Sequence, residues 1–401
     1  MNIVIIGAGQ AAASLAARLR ALGHRGAITL IGDEPAPPYQ RPPLSKGYLL
    51  GTMGVDRLIL RAPEWWAQNA ITLRPGERAV AIERDARRVL TDRGALDYDM
   101  LALTTGARPR RLDPEVGGAL AGVHVLRDLA DADALRPALA AARRLVVIGG
   151  GYVGLEAAAV GRGLGLDVTL LEAAPRILGR VAAAETADMI RALHRAHGVA
   201  IVEGAGIARI TGAEGRADGV LLADGRHLPA DLVICGIGVV PETALAAAAG
   251  LGVADGIATD AQGRTSDPAI WAAGDCASLA TPEGRLRLES VGNAIDMAEA
   301  VAANMLGAGR DYVPRPWFWS DQFDAKLQIA GLGRGHDLVV TRPRAGDGPG
   351  GSVWYFRAGR LIAVDALNDA RAYMIGKRLI EAGKSPTPQQ VATLPDLRGL
   401  L

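Results

Sequence analysis

Apolar positions along the chain fall into short unbroken runs separated by stretches with helical spacing. Ile3-Val-Ile-Ile6 is the first run, the apolar residues over 10–22 recur at i, i+3 and i+4, and Ile28-Thr-Leu-Ile31 closes the unit. Apolar runs of about four to eight residues bounded by glycine predict buried strands, so the unit is strand, helix, strand. The arrangement returns at Leu145-Val-Val-Ile148, a helix after Gly154, and Val168-Thr-Leu-Leu171. Such repetition predicts parallel sheets covered by helices.

The remaining pattern fills the intervals. It predicts a helix over 63–69, a strand over 79–83, a hairpin over 88–100 and a strand over 101–103 that ends in the small turn Thr104-Thr105-Gly106-Ala107. A helix over 187–193 precedes strands near Ala200, over 219–222 and over 232–235. The last runs into Gly236-Ile-Gly238-Val-Val-Pro241, a proline-stopped exit expected of a domain crossing. A short strand ending at Gly274-Asp275 and a helix over 294–305 return to the first unit. Further on, 353–356 and 361–364 flank Arg357-Ala-Gly-Arg360 as a hairpin, and a helix over 369–382, capped by Asn368, stops at Gly383. The expected fold class is α/β: two Rossmann-like dinucleotide-binding domains, the second inserted in the first, plus a small α+β C-terminal domain. The expected boundaries are 1–110 with 241–315, then 111–240, then 316–401.

Gly7-Ala-Gly9-Gln-Ala-Ala12 sits where a strand becomes a helix, so backbone amides and a positive helix end face a pyrophosphate. Gly7 permits the tight turn, Gly9 admits the phosphate, and Ala12 lets the helix pack closely. Asp33, just past the second strand, is favoured as the ribose contact, although Gly32 holds the place where the acid is expected. In Tyr39-Gln-Arg-Pro-Pro-Leu-Ser-Lys46 the two prolines exclude a regular helix and predict an extended segment before Leu44. Arg41 and Lys46, held in fixed directions, suit an anionic flavin cofactor. Thr105 and Gly106 allow close passage of a cofactor's backbone, Asp275 can bond a ribityl or ribose hydroxyl, and Arg127 either reaches a phosphate or is exposed.

The second fingerprint, Gly149-Gly-Gly151-Tyr152-Val153-Gly154, is complete, and its partner strand ends in Glu172, 18 residues past Gly154. A carboxylate there accepts from a ribose 2′-hydroxyl and repels a 2′-phosphate, which favours NADH over NADPH; Arg176 nearby would soften that repulsion. Glu156, two residues into the helix, is otherwise an acid favoured by the helix dipole.

Charge narrows the classes. Lys plus Arg number 44 against 43 Asp plus Glu, so a net +1 gives no case for nucleic acid or a membrane surface. No apolar run reaches the roughly 18 residues of a bilayer span, and the N-terminal stretch has no cleavable apolar core, so a cytoplasmic protein is expected. Cys235 and Cys276 lie 41 positions apart, which excludes a C-x-x-C redox pair and a thiolate metal cluster. From residue 316 onward 11 Lys plus Arg against 8 Asp plus Glu leave a modest positive excess that either meets an acidic partner or is solvated.

Five stretches carry a resemblance along nearly the whole chain: Arg41-Pro-Pro-Leu-Ser-Lys46, Gly149-Gly-Gly-Tyr-Val-Gly-Leu-Glu156, Gly236-Ile-Gly-Val-Val-Pro241, Glu289-Ser-Val291 and Pro316-Trp-Phe-Trp-Ser-Asp-Gln322. The sequence resembles the FAD-containing, NADH-dependent ferredoxin reductases of the putidaredoxin reductase type, which serve haem-thiolate monooxygenases and ring-hydroxylating dioxygenases. The resemblance implies a glutathione-reductase-like fold and FAD contacts from Ala11, Asp33, Arg41, Lys46, Ala79, Arg127, Asp275 and Val291. It implies that Lys46 lies beside flavin N5 and pairs with Glu156 across the domain interface, and that Trp319 packs near the isoalloxazine. NADH would bind the inserted domain, with Gly238 at its exit, and electrons would leave to a transiently docked 2Fe-2S ferredoxin. No metal is expected in the protein itself, which would be a monomer or weak dimer.

Three rival readings are open. A disulfide or peroxide reductase needs a flavin-side cysteine, where this chain has Pro42 and Pro43. An apoptosis-inducing-factor-like flavoprotein would call for extra interaction segments, a targeting leader or a basic nucleic-acid face, and a rubredoxin reductase is the third alternative.

Overall fold

The computed structural model describes residues 1–344 and 349–401. They form two compact units. One comprises Met1–Arg41, Val55–Arg108 and Val239–Pro316, the other Pro42–Gly54, Pro109–Gly238 and Trp317–Leu401.

The first unit is built on a parallel five-stranded sheet in the order Ile270–Ala272, Met100–Leu103, Ile3–Ile6, Ile28–Gly32, Ile71–Pro75. Ile3–Ile6 is central and buried on both faces, which is why it is unbroken apolar sequence and not an alternation. Gln10–Ala21 and Val291–Met305 pack together over it, and Leu15, Leu19, Met297 and Val301 join the same core. The second helix begins at Val291, three residues before the apolar period starts at Ala294, because the Ser290 hydroxyl accepts from the Asn293 amide and caps it.

The second unit repeats the plan. Its parallel sheet runs Ala200–Glu203, Asp167–Glu172, Arg144–Ile148, Leu232–Cys235, Val123–His124. Trp317–Gln322, Ala325–Gly331, Arg360–Leu367, Gly351–Arg357 and Leu338–Pro343 form an antiparallel sheet, against which Ala370–Glu381 packs through Ala372, Ile375 and Leu379. The expected hairpin is there. Ala358 and Gly359 both have positive φ at its turn, at 48° and 75°, the geometry that matches strand twist. The helix after it is capped by Asp369, which accepts from the Ala372 amide, and not by Asn368. Asn368 instead adopts φ 52° and accepts from the Lys326 amide, closing the end of the pair formed by Ala325–Gly331 and Arg360–Leu367.

Pro42–Ser45 also departs from the expected extended path, forming a 3-10 turn. Proline is compatible with a first helical turn, where its missing N–H has no partner to lose. The turn delivers Ser45 and Leu44 inward and anchors Leu49 in the core of the second unit.

Candidate active site

Each unit presents a glycine cradle at a strand end, and the two are built alike. Gly7 has φ 104°, and a Cβ there would lie 2.2 Å from the Thr104 carbonyl oxygen. Gly149 has φ 108°, and its Cβ would lie 2.4 Å from the carbonyl oxygen of Gly236. Only glycine fits either position. Gly9 and Gly151, two residues on, are the reverse: extended backbone, nothing within 4 Å of an added Cβ, and no side chain capping the helix that follows. An open concavity lined by uncapped amides is the donor set that a pyrophosphate needs. Both cradles therefore fit a dinucleotide.

The third position separates them. Ala12 is fully buried with its methyl accommodated, whereas a Cβ on Gly154 would meet the Gly149 carbonyl oxygen at 2.0 Å. Gly32 is also explained: its Cβ would strike that of Ala8 at 2.3 Å, so the turn's alanine and the strand's glycine are complementary. Ala11 faces Gly274, whose added Cβ would lie 3.1 Å away at φ 80°, which sets Asp275 directly after a close approach to the first helix.

Around the first cradle, Thr105 Oγ1 donates to the Glu242 carbonyl at 2.6 Å, and the Glu242 amide donates to the Gly106 carbonyl at 2.9 Å, fixing that turn. Asp33 is largely exposed, with Arg78 at 3.4 Å. Its neighbour Glu34 is engaged on both oxygens: the Tyr39 hydroxyl donates to it at 2.5 Å, and the Arg41 guanidinium forms a short ion pair with it. Of the two acids, Asp33 is the more exposed and the less engaged, which suits it better to a ribose. Arg41 is held against Tyr39 at 2.9 Å. Ala79 packs on the core at the start of its strand, and Val291 opens the helix capped by Ser290.

In the second unit the Glu172 carboxylate is pinned by two backbone amides, Gly150 to Oε2 and Ala174 to Oε1, both at 2.7 Å. It stands at the cradle with lone pairs left over for hydroxyl donors. Arg176 is turned onto the Ala182 and Ala183 carbonyls at 2.7 and 3.4 Å, so its guanidinium is engaged by its own loop. Val153 is exposed, and the Tyr152 ring lies 4.6 Å from Phe318 with burial raising its hydroxyl pKa well above the ordinary value. Gly238, at φ 97°, accepts from the Arg110 amide at 2.9 Å. Arg127, half-buried, has its amide on Asp131 at 2.9 Å.

Lys46 and Glu156 meet. Nζ lies 2.7 Å from Oε2 and also donates to the Pro42 carbonyl at 3.2 Å. Lys46 lies in Pro42–Gly54, so the pair forms inside one compact unit. Two groups that the sequence reading left without roles complete it: Ser45 Oγ donates to Oε2 at 2.5 Å and Ser320 Oγ to Oε1 at 2.6 Å. Both serines lie within the stretches that carry the family resemblance, which was the one available signal. Trp319, beside Ser320, is half-buried and stacks on Trp317 at 5.5 Å.

Both cysteines are buried and free. Burial pushes the Cys235 thiol up to about 11 and raises that of Cys276 as well, the environment of a structural thiol. Among the described residues no cluster of three or more His, Cys, Asp or Glu could hold a metal, and no helix is long and apolar enough to cross a membrane.

Residues 1–298 match the family model for pyridine nucleotide-disulphide oxidoreductase, and 317–401 match the model described as reductase C-terminal. Rhodocoxin reductase of Rhodococcus erythropolis is 44% identical over 395 residues, 98% of this chain and 92% of that protein. The crystal structure of the ferredoxin reductase for the CYP199A2 system from Rhodopseudomonas palustris superposes with a TM-score of 0.95 at 41% identity, covering 100% of this chain and 99% of that one. The reductase in the covalent putidaredoxin reductase–putidaredoxin complex gives 0.94 at 40%, covering 100% and 97%.

Proposed function

The chain belongs to the pyridine nucleotide-disulphide oxidoreductase family, and on that premise we propose that it is an FAD flavoenzyme carrying electrons from NADH to a 2Fe-2S ferredoxin. That ferredoxin would supply a haem-thiolate monooxygenase or a ring-hydroxylating dioxygenase. One observation carries the reading: two dinucleotide cradles stand in a chain whose only cysteines are buried and unpaired, so electrons entering from one nucleotide have no dithiol to leave by. Reduced flavins also pass electrons to small molecules, and what supports a ferredoxin as the acceptor is the full-length likeness to ferredoxin reductases.

FAD supplies the redox chemistry when bound, taking a hydride from NADH and releasing electrons singly. The protein's part is position and electrostatics. Gly7 and Gly9 hold the FAD pyrophosphate, with Asp33 on the ribose, Arg41 and Arg127 toward phosphate, and Ala11, Ala79, Thr105, Gly106, Asp275 and Val291 along its length. Gly149, Gly151 and Gly154 hold that of NADH, with Tyr152, Val153 and Gly238 beside it. Glu172 accepts from the NADH ribose and repels a 2′-phosphate. Lys46, aimed by Glu156, offers its ammonium to negative charge at the flavin ring, against which Trp319 packs. The protein works in the cytoplasm as a monomer or weak dimer that docks its ferredoxin transiently through charge.

The test is steady-state NADH oxidation with a panel of 2Fe-2S ferredoxins, with rubredoxin and NADPH alongside. Fast turnover with a ferredoxin and NADH is expected. Slow oxidation with every acceptor would overturn the reading in favour of a binding role.

A further inference from the structure

The buried polar contacts around Glu156 do not stop at the two serines. Gln322 Nε2 donates to Ser320 Oγ at 3.0 Å, and Gln322 Oε1 lies 2.7 Å from His194 Nε2. Ser320 and His194 are fully buried, Gln322 is 2% and Glu156 4% exposed. Ser320 and Gln322 share one face of the strand Trp317–Gln322, bridging the helix that carries Glu156, Tyr152–Gly163, to the one that carries His194, Ala184–Ala196.

Hydrogen positions along this row are fixed by chemistry. Gln322 gives an N–H to Ser320, so the serine's single hydrogen is left for Glu156. The amide oxygen faces His194, so the imidazole carries its hydrogen on Nε2. Nδ1 is buried with no partner, which a bare nitrogen tolerates better than an N–H would. Burial lowers the imidazole pKa to about 4, keeping the ring neutral and able to hold that tautomer. Every donor from His194 onward therefore points toward one carboxylate.

We propose that His194, Gln322 and Ser320 are positioning residues that lock the orientation of Glu156 and, through it, the direction of the Lys46 ammonium. Four buried polar side chains cost desolvation that an apolar core of similar shape would avoid. The return is directional: a lysine is a flexible point donor, and here its acceptor cannot rotate. The functional importance of this row rests on the proposed role of Lys46 at the flavin.

Lys46 is one of four lysines, so its ammonium signal can be followed by NMR in the flavin-loaded enzyme labelled with 13C,15N-lysine. Ser320→Ala is expected to speed exchange of the Lys46 ammonium hydrogens with water by about five- to tenfold, the loss of one hydrogen bond. Ser320→Thr, which keeps the hydroxyl, restores slow exchange. Gln322→Met, near in shape, speeds it as well, but adds nothing in the Ser320→Ala background. Unchanged exchange in Ser320→Ala, or a Gln322→Met effect of equal size with and without Ser320, overturns the proposal. If exchange responds as expected while Lys46→Ala transfers hydride as fast as the parent, the row stands and the flavin role of Lys46 falls.

Discussion

Lys46 Nζ sits 2.7 Å from Glu156 Oε2, and the two side chains are only 18% and 5% exposed. An ion pair this sheltered holds one geometry, unlike a solvated surface pair. Replacing Lys46 by alanine is expected to slow flavin reduction by NADH at least about tenfold, equivalent to about 1.4 kcal/mol of barrier. Stability should fall by only about 2 kcal/mol, because Ser45 and Ser320 still satisfy the carboxylate. Stopped-flow at the flavin's visible band and a denaturant titration measure the two effects separately. A rate equal to the parent's would remove Lys46 from the chemistry.

The likeness of the two cradles makes their glycines separable. Gly7→Ala puts a Cβ 2.2 Å from the Thr104 carbonyl, so that protein should purify with little or no flavin. Gly149→Ala makes the equivalent clash with Gly236. It should keep its flavin, bleach with dithionite, and lose reduction by NADH. Flavin content and dithionite response decide this, and the reverse pattern would exchange the two nucleotide assignments.

Glu172, pinned by the Gly150 and Ala174 amides, cannot swing away from a ribose. Glu172→Ala should lower kcat/KM for NADH by about tenfold, the worth of a hydrogen bond to a charged group, and raise it for NADPH by removing repulsion. The ratio of the two kcat/KM values is the measurement. If it stays fixed, selectivity lies elsewhere in the loop.

The strand-end glycines were legible in the sequence because a turn is a local event: Gly7 and Gly149 must be glycine for reasons set within a few residues and one neighbouring strand. Cap residues were harder, since Asn368 and Asp369 are adjacent and equally suited, and the choice depends on the strand-pair end where Asn368 meets Lys326. Pro42 and Pro43 excluded a regular helix but not a 3-10 turn. The Lys46–Glu156 pair came from family resemblance, not from spacing. Ser320, 164 residues from Glu156, and His194, 128 from Gln322, were invisible because pleat and register bring them together, and neither is a local pattern.

The buried titrating groups give a prediction about acid. His194 is held down to about 4 from an ordinary 6.5, chiefly by burial. Between those values the unfolded chain takes a proton that the folded chain refuses, so stability is lost as pH falls, by up to about 3 kcal/mol. Asp365 does the opposite. Burial raises it from 3.8 to about 6, partly countered by hydrogen bonds from the Tyr355 and Thr186 hydroxyls. The folded chain therefore binds its proton first, and stability is regained over nearly the same window by a similar amount. In the parent the two nearly cancel between about pH 6 and 4. Asp365→Asn leaves His194 unopposed, so its urea midpoint should fall more steeply than the parent's over that window, by the equivalent of about 3 kcal/mol. His194→Gln leaves Asp365 unopposed and should reverse the slope relative to the parent. Parallel midpoint curves for the parent and both variants would show that neither group's burial governs its titration.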